Sequence, residues 1–310
     1  MKQQSKVWLI LIALWVINGS SFLAIKVSID TIPAFLSAGI RFSIAGGILY
    51  AVYYFQKKLE HQQEHIGRRQ WRDTLILAVT LFLGGQGLLT WGSQYISSGV
   101  TGLLNSTIPL WVAILAFILY KTKMTKMTIL GLIAGFSGLM LLIGPSIGSG
   151  TLNPIGVISL ILSSLFWAAG SLFSTKAKLP VSILASSGML MVTGGLIITL
   201  TSFILGEYSG LDLAQVSTQS WLALCYLIVI ITVVGFTDFY WLLRVTSASL
   251  ANTFAYVSPV IAVVLGWAIL HEPVDLVTIV AMIVILFVVA LMVTKSSSIK
   301  PKSPSIKRTS

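Results

Sequence analysis

The sequence predicts an all-α integral membrane protein of ten transmembrane helices, arranged as two inverted five-helix repeats with both termini cytoplasmic. Three observations carry this expectation. First, 56% of the 310 residues are hydrophobic and 9% are charged, with a mean hydropathy of +0.93, whereas soluble domains carry about 25% charged residues. Second, one segment recurs: Trp91 lies 18 residues before Pro109 in WGSQYISSGVTGLLNSTIP, and Trp241 lies 18 residues before Pro259 in WLLRVTSASLANTFAYVSP, an offset of 150. The copies are five spans apart, and an odd number of spans inverts the second copy. Third, the Lys and Arg residues cluster in alternate loops, as they do on the cytoplasmic side of a membrane protein.

The spans follow in order. The first, near Val7–Ile25, follows Lys2 and Lys6, carries Trp8 at the interface and closes on Lys26. The second, near Ala34–Phe55, starts after Pro33 and ends at Lys57 and Lys58. The third, near Asp73–Ser93, is preceded by Arg68, Arg69, Trp71 and Arg72. The fourth, near Val100–Tyr120, ends at Lys121. The fifth, near Met127–Gly144, runs into PSIGSGTLNP, whose Gly, Ser and Pro mark the boundary between the copies. The sixth, near Pro154–Thr175, closes on Lys176, and the seventh, near Val181–Leu205, starts after Pro180. The eighth, near Ser220–Leu243, begins beside Trp221 and ends at Arg244. The ninth and tenth lie near Leu250–Leu270 and Leu276–Val293. With the N-terminus inside, nearly all the positive charge is cytoplasmic, Lys26 alone falls outside and Arg41 lies within a span. The expected units are residues 7–144 and 154–294, followed by a basic tail, 295–310, whose polar composition predicts disorder.

Several matches support the repeat. The first and sixth spans share a Trp (Trp15, Trp167), a Gly-Ser pair (Gly19-Ser20, Gly170-Ser171) and the closing Lys. The second and seventh each hold a Gly pair, Gly46-Gly47 and Gly194-Gly195. The fourth and ninth align through TIPLWVAIL and VSPVIAVVL.

Four stretches, NGSSFLAIK, SAGIRFSIAGG, SSGVTGLLNSTIPLW and YVSPVIAVVLGWAILHEPV, give the chain a resemblance to the EamA family of the drug/metabolite transporter superfamily. The resemblance covers roughly residues 7 to 294. His271-Glu272-Pro273 departs slightly from the family's Gly-Glu-Pro-like end, and Asn18 stands where many relatives have Trp. The resemblance implies a plasma-membrane transporter with a central cavity, moving an amino acid or another small metabolite, commonly outward. Proton antiport is the expected driving mode. A passive facilitator or importer is the alternative within the class. A non-transporting membrane scaffold and an intramembrane enzyme are the alternatives outside it.

Ionisable residues inside a membrane face cavities or partners. Arg41 is placed about 10 Å from the outer surface at about 1.5 Å per residue. It either binds a substrate carboxylate bidentately or satisfies backbone carbonyls as a structural residue. Asp238 is placed about 17 Å deeper. It either takes up a proton for coupling or pairs with Arg244. Asn18, Gln86 and Asn105 either contact substrate or bridge helices. Trp91, Trp167 and Tyr256 line a cavity or pack between helices. Pro109 and Pro259 kink their helices and are candidates for gating. Gly131 and Gly135 form a GxxxG, for a dimer face or for packing within the bundle.

Enzyme motifs are absent: there is no HExxH, CxxC, P-loop or GxSxG. His61, His65 and His271 lack ligand partners in the sequence, so neither a metal nor another cofactor is expected. The formal charge of +11 is explained by topology, so no nucleic-acid partner is implied. Expected partners are a small-molecule substrate, the lipid bilayer and, for coupling, protons; oligomeric state is not legible. Cys225 is the single cysteine and forms no internal disulfide.

Overall fold

In the computed structural model of the chain, the described residues are 3–60, 66–122, 124, 126–148, 152–209, 211–246 and 253–296. Among them every regular element is helical. Helix α1 is Gln3–Ser28, α2 is Ala34–Glu60 and α3 is Arg68–Gly92. Helix α4 is Ser98–Tyr120, broken between Ser98–Asn105 and Ile108–Tyr120. Then come α5, Lys126–Gly148; α6, Pro154–Ser174; and α7, Ile183–Ile204. Helix α8 runs through Thr218–Tyr226, Leu227–Val234 and Gly235–Val245. Helices α9, Phe254–Leu270, and α10, Leu276–Ser296, follow. Residues 297–310 and His61 and His65 lie outside the described residues.

Seven helices among the described residues are long and apolar enough to cross a membrane: α1 to α4 and α6 to α8. Shorter apolar stretches, Ile129–Leu141 and Val257–Leu270, occupy α5 and α9. Their lipid-compatible surface is plain. Leu9, Ile118, Ile133, Leu200 and Phe287 are all exposed, while Leu11, Leu103, Leu160 and Ile198 are fully buried. The protein is a multi-pass membrane protein.

Helix starts are local in origin. Ser97, Asn153, Ser182 and Ser217 each accept a bond from a first-turn amide, satisfying donors that the helix itself leaves unpaired. Helices α4 and α9 both end on a residue in the left-handed region, Lys121 at φ 50° and His271 at φ 53°. These are the only non-glycine residues with positive φ among the described residues, and they stand 150 apart. The other paired irregularity is a π-helical stretch within α3, Ala78–Gly87, and another within α8, Leu227–Val234.

The packing follows the same numbering. Helix α1 packs on α8 and α9, while α6 packs on α3 and α4. Helix α2 touches α8, while α7 touches α3; α2 lies along α7, and α5 along α10. Each pairing recurs with the copies exchanged. The α2–α7 contact is the most intimate, because glycines let backbones meet. A Cβ on Gly46 would stand 2.6 Å from the Val192 amide nitrogen, and one on Gly188 2.8 Å from that of Tyr50. Gly39 faces Thr199 in the same way, and Gly195 faces Ser43. Residue numbers rise along α2 as they fall along α7, so the two helices run antiparallel. Gly135 of the GxxxG meets Leu110 of α4, at 2.7 Å for an added Cβ. That glycine serves packing inside the bundle.

Candidate functional site

A cavity of about 510 Å³ opens among α1, α2, α3, α4, α6, α7, α8 and α9. Its wall on α1 extends from Leu14 to Ile25, about 16 Å at 1.5 Å per residue. Irregular backbone shapes it. Pro109 has no N–H to return to Asn105, and the chain there tightens into i→i−3 turns, Thr107 to Leu104 and Leu110 to Thr107. Pro259 lies inside α9, which continues through it although its ring removes one backbone donor. Both prolines line the cavity. The two π stretches supply Gln86 and Thr232 to its wall, in keeping with the tendency of π turns to occur at functional sites.

Arg41 is the charged group of this wall. It is 7% exposed. Its Nε donates to Thr232 Oγ1 at 3.0 Å, and its guanidinium carbon lies 4.7 Å from the Phe42 ring centroid. Among the described residues no carboxylate lies within 4.0 Å of it, and no Asp or Glu lines the cavity. A buried cation without a counter-ion is expensive, and it favours any anion that enters.

Three amides surround the same space. Asn18 donates through Nδ2 to the Leu14 carbonyl at 2.9 Å, which leaves its oxygen as an acceptor. Gln86 and Asn105 also line the wall. Ser258 adds a buried hydroxyl with no partner among the described residues. Trp167 lines the cavity from α6, its Cε3 2.9 Å from where a Cβ on Gly85 would sit. The remainder of the wall is apolar, with Phe22, Phe42, Phe236, Phe239 and Phe254 prominent. Such a wall with a few placed polar groups is the usual character of a small-molecule site.

Asn18, Arg41, Gln86, Asn105, Trp167, Pro109 and Pro259 are thus brought together. Trp91 is not on the wall; its ring packs edge-on against Tyr95 at 5.2 Å. Trp15 is also off it, donating through Nε1 to Thr253 Oγ1 at 3.0 Å. Asp238 is not among the wall residues; at 3.6 residues per turn it stands at the flank of the α8 face formed by Ile231, Thr232, Gly235, Phe236 and Phe239, about 90° round the helix from its centre. No ion pair joins it to Arg41 among the described residues, as the difference in depth predicts. The side chains of Tyr256 and Arg244 lie outside the described residues. Thr232, Ser258 and the five Phe rings are wall residues that sequence reasoning missed. The signal available for Thr232, Gly235, Phe236 and Phe239 is their shared helical face.

The sequence model of the EamA-like transporter family matches residues 5–144 and again 154–294. The "Uncharacterized inner membrane transporter YedA" of Escherichia coli (strain K12) is 29% identical over 96% of this chain and 93% of that protein. The "Uncharacterized transporter YetK" of Bacillus subtilis (strain 168) is 31% identical over 89% of this chain and 83% of its own length. A solved structure described as "Crystal structure of protein" shares 16% identity, with a TM-score of 0.60 over 96% of this chain and 99% of that one; this likeness is one of fold.

Proposed function

The chain belongs to the EamA-like transporter family, and from that premise we propose that it is a secondary transporter exporting a small amphipathic metabolite, an amino acid first among candidates, across the cell membrane. The observation that carries this reading is Arg41, buried on the wall of a largely apolar cavity with no carboxylate beside it among the described residues. A substrate carboxylate completes that charge, and the rings receive an apolar side chain.

Alternating access is the proposed mechanism, with ten spans in two inverted repeats, 7–144 and 154–294, and both termini cytoplasmic. Support comes from the double family match, the exchange-symmetric packing and the antiparallel α2–α7 pair. Equivalent helices of two parallel repeats would run the same way. Pro109 and Pro259 act as the flexible points of the cavity wall. Pro109→Ala is expected to slow counterflow several-fold while leaving substrate binding intact; unchanged transport removes the proline from gating.

Proton antiport drives export in this proposal, and Asp238 is the assigned acid, moving its proton beside the cavity. Asp238→Asn is expected to abolish the dependence of transport on a pH gradient with binding retained. An unchanged dependence takes Asp238 out of the mechanism.

The whole reading is tested with purified protein in liposomes, following counterflow of labelled amino acids with and without a pH gradient. Flux of at least one amino acid is expected. Absence of flux across a broad metabolite panel would sink it.

A further inference from the structure

Each copy closes its first helix with a lysine: Lys26 in α1 and Lys176 just after α6, 150 residues apart. The two are engaged differently. Lys26 Nζ donates to the carbonyls of Ser93 at 2.7 Å, Gln94 at 3.1 Å and Ile96 at 3.0 Å. These belong to the end of α3 and the turn beyond it, where carbonyls have no donor within the helix. The next residues in the chain are held by the opposite charge. Glu272, just after α9, accepts from the Ser98 amide at 2.7 Å, the Ser98 hydroxyl at 2.8 Å and the Gly99 amide at 3.3 Å. The α3–α4 hairpin is therefore gripped by a cation on its carbonyl end and an anion on its amide end, each where the helix dipole favours it. Gly266 makes room for this grip, since a Cβ there would come within 2.6 Å of Ser98 Oγ.

Lys176 has no corresponding set of bonds among the described residues. Its Nζ sits over the Tyr120 ring, 3.7 Å from the centroid, at the far end of α4. The same 150-residue offset carries Ser93, Gln94 and Ile96 onto Leu243, Arg244 and Thr246, at the end of α8. It carries Glu272 onto Thr122, so the carboxylate half of the grip exists in one copy only.

We infer that Lys26 and Lys176 are alternating clamps on the carbonyl ends of α3 and α8, and that the structure is the state shut at the Lys26 end. In the opposite state Lys26 releases α3–α4 and Lys176 leaves Tyr120 for the carbonyls ending α8. Because Glu272 reinforces only the first clamp, the Lys26 end is the one shut at rest. In the proposed orientation that end is the outer one, which leaves the resting cavity facing cytoplasmic substrate. The inference rests on the two-state transporter reading and adds the residues that bias it.

The test is sided labelling of a cavity cysteine, Ser21→Cys in a Cys225→Ser background, by a membrane-impermeant maleimide in right-side-out and inverted vesicles. The parent is expected to label faster from the Lys176 face. Lys26→Gln and Glu272→Gln are each expected to raise labelling from the Lys26 face about tenfold, the scale of losing one charge-assisted bond of about 1.5 kcal/mol. Lys26→Arg, which keeps the donors, stays near the parent, and Lys176→Gln lowers labelling from the Lys26 face further. Should Lys26→Gln fail to fold, Glu272→Gln and Lys26→Arg read the same grip. Parental sidedness in folded Lys26→Gln and Glu272→Gln overturns the clamp while leaving the transporter reading standing. Labelling from neither face, in parent and variants alike, overturns the transporter reading and the clamp with it.

Discussion

Arg41→Gln is expected to lower the affinity for a carboxylate substrate by roughly 10- to 100-fold, the worth of a hydrogen bond to a charged group at about 1.5–3 kcal/mol. The guanidinium is buried, tied through Nε to Thr232 and free of neighbouring acids among the described residues. A neutral amide keeps a hydrogen-bonding group on a shorter side chain and loses the charge. Arg41→Lys is expected to fall between the two, because an ammonium keeps the charge and loses the planar fork. Folding gives the opposite readout. Removing an uncompensated buried charge relieves desolvation, so the melting temperature in detergent is expected to hold or rise as binding falls. Binding is read by substrate-induced shifts in that melting temperature, transport by counterflow. Unaltered affinity in Arg41→Gln would remove the residue from the substrate site.

Adjacent glycines in α2 are expected to answer the same substitution in opposite ways. A Cβ on Gly46 would press on the backbone of α7, 2.6 Å from the Val192 nitrogen and 3.0 Å from the Gly188 oxygen, whereas Gly47 has nothing within 4 Å. Backbone does not swing aside as a side chain does, so Gly46→Leu must push the two helices apart. Overpacking costs on the order of 1–3 kcal/mol in ordinary cores, and more where the structure cannot relax. Gly46→Leu is expected to abolish the monodisperse peak in size-exclusion chromatography, and Gly47→Leu to leave it intact. Equal behaviour of the two would mean that α2 and α7 do not meet through this face.

Much of this arrangement was legible in the residues. The expected second span, Ala34–Phe55, is observed as Ala34–Glu60, and the sixth, Pro154–Thr175, as Pro154–Ser174. Proline, serine and asparagine at the starts, and lysine or arginine at the ends, mark such boundaries locally. The same 150-residue offset that relates Trp91 to Trp241 also relates Lys121 to His271, the paired left-handed caps. The site was legible in part. Polar residues within apolar spans stand out, so Asn18, Arg41, Gln86 and Asn105 were all singled out, and all four share one cavity. Asp238 stood out for the same reason but lies off the wall, because depth along a helix says nothing of direction around it. Ser258 and the five Phe residues were missed because they resemble their neighbours in composition.

The sequence by itself determined the membrane class, the helical segments and the repeat. A chain in lipid must satisfy its backbone internally and needs about 20 apolar residues to cross, and both demands are written locally. Only the tertiary structure decided which face of each helix meets the cavity, which meets lipid and which meets another helix. Lipid and packed helices are both apolar, so the hydrophobic pattern of a span carries no direction. Direction is set instead by contacts distant in the chain: Gly46 against Val192, Arg41 on Thr232, and Glu272 on the first turn of α4.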